Sequence, residues 1–67
     1  MESVESFHKQ LVGIKYLGDG AYCGVSQFAE LVLWTENGVH VTNTVVIENI
    51  SELEKYIKEV KVKWNLL

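Results

Sequence analysis

Apolar and polar residues alternate along most of the chain with a period of two, and the period changes near residue 51. Residues 10–17 alternate, with Val12, Ile14 and Tyr16 on one face and Leu11, Gly13, Lys15 and Leu17 on the other. That is the pattern of a β-strand. Gly18-Asp19-Gly20 follows, and Asp-Gly is a two-residue hairpin turn because both central positions tolerate positive φ. Ala21-Tyr22-Cys23 reads as a short returning strand and residues 24–27 as a connection.

A second hairpin is predicted from residues 28–35 and 39–48, joined at Asn37-Gly38. Asn-Gly between alternating runs is the strongest turn signal in the chain. A type I′ turn there sets Trp34 opposite Val41, Val32 opposite Asn43 and Phe28 opposite Ile47. Residues directly opposite share a face. One face then carries Phe28, Val32, Trp34, Val41, Val45 and Ile47. The other carries Ala29, Leu31, Leu33, Thr35, His40, Thr42, Thr44 and Val46.

From Ser51 the apolar spacing becomes helical. Ser51-Glu52-Leu53-Glu54 has the form of a capping box. Leu53, Ile57, Val60, Trp64 and Leu67 continue a single stripe, with Tyr56 beside it. Residues 60–64 also alternate, so a terminal strand competes with the helix; the lack of any breaker after Ser51 favours the helix. The expected fold is α+β: a small antiparallel meander of three or four strands, with one C-terminal helix packed on its richer apolar face. Residues 1–9 form an N-terminal extension of little periodicity, and residues 10–67 the single domain.

Composition narrows the function. The chain has 67 residues, which leaves room for one domain. A core of this size supplies only ~3–5 kcal/mol, and such chains add disulfides, a metal or a partner subunit. Cys23 is the only cysteine, which excludes an internal disulfide. His8, Cys23 and His40 lack metal-ligand spacing, so neither a metal nor another cofactor is expected. Self-association is the favoured remaining route.

Six basic residues face nine acidic ones, and all six are lysine. The negative balance and the lack of arginine argue against nucleic-acid binding. No apolar run approaches the ~20 residues of a membrane span. An acidic, polar start and a lone thiol point to a reducing cytosol.

No catalytic constellation stands out. Neither histidine has a carboxylate at useful spacing in the sequence. Glu30 and Glu36 share a face but lie ~20 Å apart along a strand, too far for paired acid–base chemistry. Gly18-Asp19-Gly20 lacks the further glycines or lysine of a phosphate loop. Cys23 reads as a small buried hydrophobe, and the tyrosines and tryptophans as core or interface anchors.

Two features remain. Asn43 falls on the helix-facing side. There it is either a ligand or interface contact, or the mark of a bulge or edge where it meets water. The second face, with Leu31 and Leu33 among His40, Thr42 and Thr44, has no helix to cover it. It is the surface expected to meet a partner.

Three segments also carry a resemblance. They are Tyr16-Leu17-Gly18-Asp19-Gly20-Ala21-Tyr22, Thr35-Glu36-Asn37-Gly38-Val39 and Val41-Thr42-Asn43-Thr44. With the acidic residue and the Leu…Tyr-Ile helix that follow, they resemble a group of short phage-encoded proteins. These share a strand–turn–strand, a Thr-Glu-Asn/Asp-Gly hairpin and a Val-Thr-Asn strand before a C-terminal helix. The similarity spans residues 15–60, and the chain departs from the group in its N-terminal extension and longer connection at 24–27.

The resemblance brings a setting and no residue roles. It implies a phage accessory protein in the bacterial cytosol that inhibits a host defence factor by binding, without turnover. The target would be a host protein or a small nucleotide signal held at a homo-oligomer interface. The alternatives are a phage assembly module and a small oligomeric enzyme acting on nucleotides.

Overall fold

Asp19 and Gly20 adopt φ of +52° and +79°, and the turn they make closes the pair Gly18–Ala21. The first hairpin therefore turns where Asp-Gly predicts. The computed structural model describes residues 2–64. In chain order it contains α1 (Val4–His8), β1 (Leu11–Gly18), β2 (Ala21–Ser26), β3 (Leu31–Glu36), β4 (Val41–Ile47) and α2 (Ile50–Lys63). The strands form one antiparallel sheet in the order β1-β2-β3-β4. The fold is thus α+β, a four-stranded antiparallel meander followed by a C-terminal helix.

The second hairpin departs from expectation. Asn37 is not at positive φ, so a type I′ turn does not form. Its side-chain Oδ1 instead accepts hydrogen bonds from the backbone N–H groups of Val39 (2.9 Å) and His40 (2.7 Å). This side-chain-to-backbone turn competes with the tight hairpin and lengthens the loop to residues 37–40. The register moves accordingly. Leu33 pairs with Val45, Trp34 with Thr44 and Thr35 with Asn43, before a bulge at Thr42 sets Glu36 opposite Val41.

A shift of odd length exchanges the two faces of a strand. Val45 and Ile47 therefore leave the Trp34 side, and Thr44 and Val46 join it. Phe28 also moves: β2 runs on to Ser26, and Phe28 lies in the following turn, 73 % exposed. Ser26 Oγ organises that turn by accepting from the N–H groups of Phe28 and Glu30.

The core lies on the face of Tyr22, Val32 and Trp34. Its buried members are Phe7, Val32, Trp34 and Val41, flanked by Leu11 and Tyr22. Trp34 is only 2 % exposed. Tyr22 stacks on it at 5.8 Å, and Phe7 meets it edge-on at 5.0 Å. Gly24 is what lets the indole lie this close. A Cβ there would stand 3.3 Å from Trp34 Cη2 and 3.4 Å from Ile14 Cγ1.

The helix that covers this face is α1. Ser3 caps it by accepting from Ser6 N–H. Its first residue and the segment before it bond to the β3–β4 loop and the first residue of β4, through Val4 N to Val39 O and Val41 N to Glu2 O, both 2.9 Å. Periodicity misses α1 because five residues are too few to show a stripe.

The C-terminal helix is not laid on the sheet. No residue of α2 is buried, and it makes no extensive contact with any strand. The aromatic face is already occupied by α1, and only residues 48–49 separate β4 from α2. Asn49, rather than Ser51, caps this helix, its side chain accepting from Glu52 N–H at 3.1 Å. Helix rather than strand continues through Lys63. The extension of the stripe to Leu67 lies outside the described residues.

Replacing Phe7 with Ala removes a quarter of the buried core. The expected cost is ~3–5 kcal/mol, close to the whole stability of a chain this size. Urea titration followed by circular dichroism should show Phe7→Ala largely unfolded in buffer. An unchanged midpoint would mean that α1 is dispensable.

Candidate functional site

Alternation along the strands sends one set of side chains away from Trp34. From β2 these are Ala21, Cys23 and Val25, from β3 Leu31, Leu33 and Thr35, and from β4 Asn43, Val45 and Ile47. Val12, registered with Val25, and Lys15, registered with Cys23, extend the set onto β1. Among the described residues no helix covers this open face. Leu31, Leu33, Cys23 and Ile47 are half-buried by their neighbours alone, while Val45 is 55 % exposed.

A shallow hollow of about 190 Å³ opens toward the β3–β4 loop, lined by Ala21, Leu33, Trp34, Thr35, Asn43 and Val45. At its rim Thr35 Oγ1 and Thr42 Oγ1 are 2.6 Å apart. The β4 bulge brings them together by setting both Thr42 and Asn43 against Thr35.

Four of the six residues singled out from the sequence meet here: Leu31, Leu33, Thr42 and Asn43. Asn43 is exposed on an edge strand next to a bulge, so it is no buried amide. Thr44 stands on the aromatic face opposite Trp34. His40 belongs to the loop, where its backbone bridges to Ser3. The misplaced pair follows directly from the register. Val45 and Ile47 were missed for the same reason, and Cys23 because its strand was read as ending there.

A second cluster lies on the aromatic face. Glu36, with a side chain 7 % exposed, accepts from Trp34 Nε1 at 2.8 Å and from His8 Nε2 at 3.0 Å. Local spacing does not show that His8 has a carboxylate partner, because the two are 28 residues apart. His8 also meets the Trp34 ring at 5.7 Å. Tyr22 and Tyr16 stand alongside, with ring centroids 4.9 Å apart. The Tyr22 hydroxyl is pushed above its ordinary value of 10.0, first by desolvation, then by the Glu36 charge and by Tyr16. With both donors already satisfied, Glu36 ties α1 to the sheet.

The two faces thus differ in kind: one holds satisfied polar groups inside an aromatic core, the other presents apolar side chains to solvent. The open face suits contact with another apolar surface. Among the described residues no helix is long and apolar enough to cross a membrane. Comparison with known proteins gives no match to any family model, curated protein or solved structure.

Folding favours the protonated form of Tyr22. The stability this contributes is fully present below pH 10 and is lost as pH rises through the higher folded value. Tyrosinate absorbance, taken as wild type minus Tyr22→Phe, should titrate with a midpoint above 10. Glu36→Gln should lower that midpoint. A midpoint at or below 10 would contradict the assignment.

Proposed function

We propose that this chain is a non-enzymatic binding protein of phage type that inhibits a bacterial host defence factor. It works in the host cytosol as a homo-oligomer whose interface is built on the open sheet face. The observation that supports this most is that face itself, a largely apolar surface that no helix covers among the described residues. Contiguous exposed apolar surface of this kind marks interaction sites.

The chemistry favours a protein target over a nucleotide signal. The hollow is smaller than the ~300–1,000 Å³ of common ligand sites, and no cationic side chain lines it. Lys15 is the single basic residue on the face. The phage setting rests on the resemblance of the turn and strand segments to those of short phage-encoded proteins.

The test uses bacteria carrying a defined defence system and a phage that the system restricts. Expression of the wild-type chain should restore plating. Leu33→Asp, which puts a charge at the centre of the face, should abolish that effect while leaving the far-ultraviolet circular dichroism unchanged. Restoration by a folded Leu33→Asp protein would remove the open face from the mechanism. Failure of the wild type across a panel of such systems would sink the inhibitor reading.

A further inference from the structure

We infer that the open sheet face is covered in solution by helix α2 of a second copy, each chain giving its helix and receiving its partner's. The single chain exposes more surface than its mass warrants. Its accessible area is 5339 Å², against ~4,300 Å² expected for a folded monomer of this mass. The excess, roughly 1,000 Å², is the size of one partner's share of a stable interface, ~800 Å². The radius of gyration agrees: 13.3 Å, where a compact domain of this length has ~11 Å.

Two of the surfaces that expose apolar side chains match in length: the open face with Val12, Val25 and Val45, and the α2 stripe with Ile50 and Ile57. The stripe Ile50, Leu53, Ile57 and Val60 runs along a helix of 14 residues, ~21 Å long at 1.5 Å per residue. The open face offers strands of 6 residues at its centre, β2 and β3, ~20 Å long. The connection between them explains why one chain does not satisfy both. Residues 48–49 are all that join β4 to α2, and the Asn49 cap fixes the direction in which the helix leaves. Short connections of this kind favour exchange of an element between identical chains.

A second copy is the occupant that covers the open face and the α2 stripe together. Every copy carries one donor helix and one acceptor face. A two-fold axis therefore closes both contacts at once and ends the assembly at a dimer. A foreign partner on the sheet would leave α2 bare.

The inference rests on the oligomer half of the proposed function and is independent of the host target. Light scattering should give the wild type twice the chain mass of 7.6 kDa. Val45→Asp, which spoils the face, and Ile57→Asp, which spoils the helix, should each fall to the mass of one chain. Mixed in equal amounts, they should regain a dimer, because the first still has a good helix and the second a good face. Circular dichroism establishes that each variant is folded; if Val45→Asp is not, Val12→Asp replaces it.

A monomeric wild type would overturn the inference. So would Ile57→Asp remaining dimeric, which would mean face-to-face packing, or a mixture that stays monomeric. An exchanged dimer that leaves phage plating unchanged would fail the functional reading alone. A monomer that restores plating would fail this inference and the oligomer half of the functional reading, and leave the inhibitor half standing.

Discussion

Trp34 receives a neighbour from each direction in which the chain has one to offer. Tyr22 stacks on its face, Phe7 and His8 approach its edge from α1, and Glu36 takes its indole N–H. Burying an indole stabilises a small domain only if that N–H finds an acceptor. The acceptor is a carboxylate two residues along the same strand, on the same face. The carboxylate's own desolvation is then offset by His8, which ties in the N-terminal helix. Gly24 completes the arrangement by leaving space on the next strand. Residues from three elements, α1, β2 and β3, thus become conditions on one another.

This dependence explains how much could be read in advance. The α+β class, the four strands and the position of the final helix follow from local pattern, which is strong where alternation is long. The Asp19-Gly20 turn was legible for the same reason. The Asn37-Gly38 turn was misjudged because Asn has two uses in a turn. It can enter the left-handed region itself, or it can accept backbone hydrogen bonds with its side chain. The loop chose the second, and the change of loop length exchanged the faces of β4 from Asn43 onward, while the bulge at Thr42 left Val41 on the Trp34 side.

The open face was half legible. Leu31 and Leu33 lie on β3, whose alternation does not depend on the loop, and both were placed correctly. His40 and Thr44 were placed by register and lost with it. The His8–Glu36 contact was not legible at all. It depends on α1 folding back across the sheet, a long-range event that leaves no trace in spacing. The same holds for α2, whose stripe is plain in the sequence while the surface it is meant for is not specified by it.

The hydrogen bonds that tie Glu2 and Val4 to the start of β4 also bear on how copies of the chain can meet. A meander has two free borders, and unpaired strand borders are the usual route to open-ended stacking. Here the β4 border is partly occupied by the chain's own first residues. The β1 border is broken by irregularities between Val12 and Lys15 and between Tyr16 and Gly18. Lateral growth, strand beside strand, is therefore discouraged at both borders. What the molecule leaves available is its broad surface, so that encounters between copies are steered toward assemblies of finite size and away from fibres.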